Sequence, residues 1–87
     1  MRLAKYVKFR EEKFGGVLFE TRSEKVFTLN PTAAAVIREI QAGGTEREIA
    51  DRMRDRYDDP LGSIEREVLG LIADLRGKGL LEDSPRG

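Results

Sequence analysis

The chain predicts an α+β domain in which a three-stranded antiparallel sheet is followed by three helices. Apolar residues recur with a period near two from Tyr6 to Leu29, among β-branched and aromatic neighbours, and with a period near 3.6 from Thr32 to Leu81. Turn and cap signals divide each half into short elements. Strands first and helices second put the helices on one face of a small sheet.

The first strand is expected over residues 5–10, where Val7 and Phe9 alternate with Lys8 and Arg10. Gly15-Gly16 relaxes the backbone ahead of a second strand over 16–20. A polar turn, Thr21-Arg22-Ser23-Glu24, leads to a third strand over 25–29, which makes the last two strands a hairpin. Phe27 and Leu29 share one face of that strand, Val26 and Thr28 the other.

Asn30-Pro31-Thr32 signals a helix start, with Asn30 as cap and Pro31 at the first helical position. The first helix is expected over 31–41, with Ala33, Val36, Ile37 and Ile40 on its core stripe. Gly43-Gly44 stops it. Thr45-Glu46-Arg47-Glu48 is a capping box that opens a second helix over 45–57, with Ile49, Ala50, Met53 and Tyr57 inward. Asp58-Asp59-Pro60 breaks that helix, and a third is expected over 60–78, starting at Pro60 or at Ser63. Its stripe is Ile64, Val68, Leu71, Ile72 and Leu75. Leu80-Leu81 folds back onto the core, and residues 82–87 are expected to fray.

Composition excludes several function classes. The 87 residues contain no His, Cys or Trp, which removes the usual general base, the thiolate nucleophile and the commonest metal ligands. No catalytic residue, metal site or cofactor is therefore expected. Sixteen basic residues balance sixteen acidic ones, so the basic excess of a phosphate-backbone binder is missing, and the first turns of the third helix are acidic. No nucleic-acid partner follows from that balance. No apolar run reaches the ~18 residues that span a bilayer, and residues 1–8 lack a secretory stretch, so a cytoplasmic protein is expected. Asp55-x-x-Asp58-Asp59 belongs to a solvated, salt-bridged helix face rather than a calcium loop.

Two features ask for a partner. If the strands pair in sequence order, the third lies at an edge, and Val26-Phe27-Thr28-Leu29 carries neither the Pro nor the central charge that blunts edges. Such an edge suits an extended peptide adding as a strand, unless the third helix covers it or a second copy pairs with it to make a homodimer. Leu69 lies ~60° beyond Ile72 on the helical wheel, flanked by Glu65 and Arg76, where it would suit a groove wall.

The segment Val26-Phe27-Thr28-Leu29-Asn30-Pro31-Thr32-Ala33-Ala34-Ala35-Val36-Ile37 resembles the strand-to-helix junction of the PqqD family. Gly44-Thr45, Glu48-Ile49, Tyr57-Asp58, Ile64 through Val68, and Leu75-x-x-x-Gly79-Leu80-Leu81 follow in the family's order, so the likeness covers about residues 5–82. Phe9 through Gly16 is similar to the opening of PqqD-like proteins encoded beside radical-SAM peptide-modifying enzymes. Glu67 and Leu69 roughly fit the family's acidic and aliphatic positions around Val68. Gly70 departs from a good helix former at a cost of ~1 kcal/mol relative to Ala.

The resemblance implies a RiPP recognition element, winged helix-turn-helix-like. Such a domain binds the leader of a ribosomally made precursor peptide and presents it to a modifying enzyme, here of the radical-SAM type. By position it implies strand contacts from Lys25, Val26, Phe27, Thr28 and Leu29, and helix contacts from Glu65, Val68, Leu69 and Ile72. The alternative is a winged-helix regulator that binds DNA or a protein.

Overall fold

Alternating apolar residues between Val7 and Leu29 fold into a meander. A computed structural model describes residues 1–58 and 61–82. Along the chain come β1 (Arg2–Leu3), β2 (Val7–Glu12), β3 (Gly15–Glu20), β4 (Lys25–Leu29), α1 (Pro31–Ala42), α2 (Glu46–Tyr57), α3 (Ser63–Gly77) and β5 (Leu81–Glu82). β2, β3 and β4 form the three-stranded antiparallel sheet in that order, and the three helices follow it in an α+β fold.

Register sorts the side chains. Phe9, Leu18 and Phe27 align across the strands on the inner face, as do Glu11, Gly16 and Leu29. Lys8, Phe19 and Val26 align on the outer face, beside Arg10, Val17 and Thr28. The inner face meets α1, and Leu18, Ile37, Ile40, Ile49, Met53, Ile72 and Leu80 are fully buried between sheet and helices.

The helix starts follow their local chemistry. The Asn30 side chain accepts the Ala33 N–H at 2.8 Å, and Pro31 follows at the first helical position. Thr45 Oγ1 accepts the Glu48 N–H at 3.1 Å while Glu48 Oε1 accepts the Thr45 N–H at 2.8 Å, the reciprocal capping box.

Several expectations shift. β2 spans Val7–Glu12 rather than 5–10, because the Val7 N–H donates to the Ala4 carbonyl and makes Lys5-Tyr6 a turn. Gly15-Gly16 sits inside β3, paired with Glu12 and Glu11, and the turn is Lys13-Phe14. Gly15 takes φ 142°, and a Cβ there would collide with the Leu29 carbonyl oxygen and the Asn30 backbone. Only glycine lets β4 end that close to β3.

α3 begins at Ser63 rather than 60, with Gly62 at φ 71° ahead of it, and it ends at Gly77. Tyr57, expected inward, is 42% exposed, because α2 ends there and Asp58 turns away at φ 46°. Glu82, expected in a frayed tail, pairs with Arg2 in the β1–β5 ribbon, and their side chains meet at 2.9 Å. Residues 83–87 of that tail, like Asp59 and Pro60, lie outside the described residues.

Candidate functional site

The free side of β4 is where the fold leaves backbone groups unsatisfied. β4 pairs with β3 on one side, and no strand among the described residues pairs with the other. The Leu29 carbonyl faces β3, against Gly15. In an antiparallel ladder, alternate residues direct their N–H and C=O to opposite sides. Lys25, Phe27 and Leu29 therefore bond to β3, whereas Val26 and Thr28 point their backbone groups outward.

The sheet's other edge is better defended. On β2 the Val7 N–H is taken by Ala4, charged Lys8, Arg10, Glu11 and Glu12 interrupt the strand, and Glu11 binds Arg38 of α1 at 3.2 Å. β4 has a charge only at Lys25, its first residue.

Two hollows lie at the two ends of the open edge, one beside the segment that follows α3 and one between α1 and α3, and together they trace a groove. One hollow, about 290 Å³, is lined by Glu20, Ser23, Lys25, Phe27, Lys78 and Leu80. A second, about 150 Å³, is lined by Asn30, Thr32, Ala33, Val36, Glu67 and Leu71. Lys78 thus sits across from the start of β4 and Glu67 across from its end, so strand and helix run in opposite directions. The eleven steps from Glu67 to the C-cap Lys78 rise ~16 Å, and the four strand steps from Lys25 to Leu29 span ~13 Å. The two walls match in length.

Each hollow combines apolar and charged lining residues. Phe27 and Leu71 are half-buried, one in each hollow, and Leu80 is buried at the base of the first. The Lys25 side chain makes no hydrogen bond or ion pair with the described residues, and neither does that of Glu67. Lys78 is held by Asp74 at 2.7 Å. The Glu20 carboxylate accepts the N–H groups of Arg22 and Ser23, each at 3.0 Å. Its pKa lies below the usual carboxylate value, chiefly through the hydrogen bond with Ser23.

The five strand residues singled out by sequence all lie on this edge. Lys25 and Phe27 line the groove, while Val26 and Thr28 carry exposed side chains on the outer face and outward backbone groups at the edge. Leu29 puts its side chain in the core, 6% exposed.

The four helix residues are placed differently. Val68 and Ile72 are fully buried in the core, and Leu69 is half-buried against it. Glu65 binds Arg47 of α2 at 2.6 Å and raises the Arg47 pKa through that bond. The residues that line the groove from this side are Glu67 and Leu71 of α3 and Lys78 at its C-cap. Their signal is present in the sequence, since they fall within ~40° of one another on the helical wheel. What the wheel does not say is which flank of the core stripe faces the sheet and which faces α2.

Behind the groove, Glu39 fixes α1 to α2. It is 9% exposed and accepts from Arg52 at 2.6 Å and Arg56 at 2.9 Å, and Arg52 also reaches the Gly43 carbonyl at 2.8 Å. Bonding to Arg52 lowers the Glu39 pKa. Among the described residues, no group of three or more potential ligands gathers to hold a metal ion, and no helix is long and apolar enough to cross a membrane.

Comparison with known proteins comes from two directions. Residues 15–81 match the family described as coenzyme PQQ synthesis protein D (PqqD). Among solved structures, TbiB1 in complex with the TbiA(beta) leader peptide superposes with a TM-score of 0.82 at 21% identity, covering 99% of this chain and 100% of TbiB1. Lasso peptide synthetase B1 complexed with the leader peptide gives 0.78 at 24% identity, over 94% and 96% of the two chains. At these identities the two structures speak for the fold alone. No curated protein matches the chain in sequence.

Proposed function

The chain belongs to the PqqD family, and on that premise we propose that it is a non-catalytic adaptor for a precursor peptide. The leader of that peptide adds as a fourth strand along β4 and lies in the groove against α3. The observation that carries this reading is the undefended edge of β4, with Val26 and Thr28 pointing outward beside a groove of matching length. That the two structural neighbours were solved with leader peptides supports it.

The energetics suit capture and release. Val26 and Thr28 offer two N–H and two C=O groups, and each bond made to a peptide is worth ~0.5–1.5 kcal/mol net. Burying Phe27 and its apolar neighbours adds to this, against the cost of ordering an extended chain. No step of covalent chemistry falls to these residues. The adaptor raises the effective concentration of its peptide at a modifying enzyme, of the radical-SAM type on this proposal, and aligns the peptide there.

The test is capture from lysate of the source organism, with purified protein as bait and Thr28→Pro as control. Proline at 28 removes an outward N–H and blocks the edge while leaving the bonds to β3 in place. A short peptide retained by the wild type, lost on Thr28→Pro and accompanied by a peptide-modifying enzyme is the expected result. Retention of nucleic acid that falls steeply with salt, without peptide, would overturn the adaptor in favour of a winged-helix regulator.

A further inference from the structure

We infer that the peptide taken by this groove carries, from its N- to its C-terminus, a basic, a large apolar and an acidic side chain at alternate positions. The inference rests on leader capture along β4 and specifies the chemistry of the captured segment. Antiparallel addition, the more stable pairing, sets the peptide's direction opposite to that of β4. Strand pleating then gives each peptide residue the face of the residue it opposes. Residues opposite Leu29, Phe27 and Lys25 point into the groove; those opposite Thr28 and Val26 bond to the edge and point to the outer face.

The groove is bipolar along that line. At the Leu29 end, Glu67 is the only charged side chain among the six residues lining the hollow, and it has no partner among the described residues. At the other end, Lys25 is the unspent cation, since Asp74 holds Lys78 while Arg22 and two backbone N–H groups occupy Glu20. Phe27 lies beside Lys25 in the one hollow and Leu71 beside Glu67 in the other, so each charge has an apolar neighbour. A peptide reading basic–x–apolar–x–acidic meets each group with its complement. The opposite order meets like charge at both ends.

The experiment selects random dodecapeptides displayed on phage against the wild type, Lys25→Glu/Glu67→Lys and Thr28→Pro. Both reversed side chains are exposed and make no hydrogen bond or ion pair with the described residues, so the double variant is expected to keep the fold. Peptides enriched by the wild type are expected to carry the basic–x–apolar–x–acidic order, and those enriched by the double variant the reverse. Synthetic peptides centred on Lys-Thr-Leu-Thr-Asp and Asp-Thr-Leu-Thr-Lys should differ about tenfold in affinity for the wild type, and less at high salt. Enrichment that Thr28→Pro abolishes but that lacks this order would overturn the inference and leave strand capture standing. The reverse order on the wild type would overturn it as well. No enrichment above the Thr28→Pro background would overturn both.

Discussion

Gly70 lies in the middle of α3, where glycine is a poor choice unless something approaches it. Nothing does: a Cβ built there finds no atom within 4 Å beyond the helix's own backbone. Gly70→Ala therefore removes the backbone entropy of glycine from a helix interior without a steric penalty, a gain of about 1 kcal/mol. For a domain of this size that raises Tm by about 4–8 °C. Calorimetry and urea unfolding at matched pH would read it as a higher midpoint with an unchanged slope. An unchanged or lowered midpoint would refute the reasoning, since it would require a contact or a helix bend at Gly70. Peptide affinity gives a second reading of the same variant. Gly70 sits ~60° from Glu67 on the wheel, at the lip of the groove. A more stable variant that binds peptide less well would show that glycine is kept there for close approach of the ligand.

The remaining predictions concern the sheet and the buried carboxylate. Gly15→Ala should cost about 3 kcal/mol in urea unfolding, because a side chain at φ 142° would strike the Leu29 carbonyl and the Asn30 backbone. Amide exchange in the free protein should be fast at Val26 and Thr28 and slow at Phe27 and Leu29, and the reverse pattern would refute the edge assignment. The Glu39 carboxyl titrates below 4.5 in the folded chain, so its contribution to stability is present above that value and is lost as pH falls through the lower, folded one. Unfolding at pH 3, 4, 5 and 7 should show Glu39→Gln less stable than wild type at pH 7, with the gap closing towards pH 3.

Much of this architecture is written in local chemistry. The Asn30-Pro31 start and the Thr45–Glu48 box are interactions of near neighbours, so sequence spacing suffices to find them. The open edge was legible from what β4 lacks. The β1–β5 ribbon was not, because two-residue strands have no periodicity and their pairing joins the ends of the chain. The place of Gly15 inside β3 was hard to read for a related reason. Glycine marks both turns and close strand approach, and only the nearness of Leu29 decides between them. On α3, Leu69 and Leu71 are equivalent by hydrophobicity, and the packing of α2 against one flank of the core stripe leaves the other flank to the groove.

An open edge beside a groove must still discriminate a peptide from a second copy of the chain. Charge does not forbid self-pairing. Two β4 strands centred on Phe27 would exchange bonds between Val26 and Thr28, and would bring each Lys25 towards the Glu67 of the other copy. Shape does the discriminating. Paired strands lie ~4.8 Å apart, whereas packed helices approach no closer than 8–10 Å. Each copy carries α3 along the inner side of its own edge, so two-fold pairing would crowd both helices over two adjacent strands. Neither can yield easily, since Val68 and Ile72 tie α3 to the core. A bare extended peptide brings no helix and needs no such movement. On the proposed docking, α3 is expected to admit a single strand more readily than a folded copy.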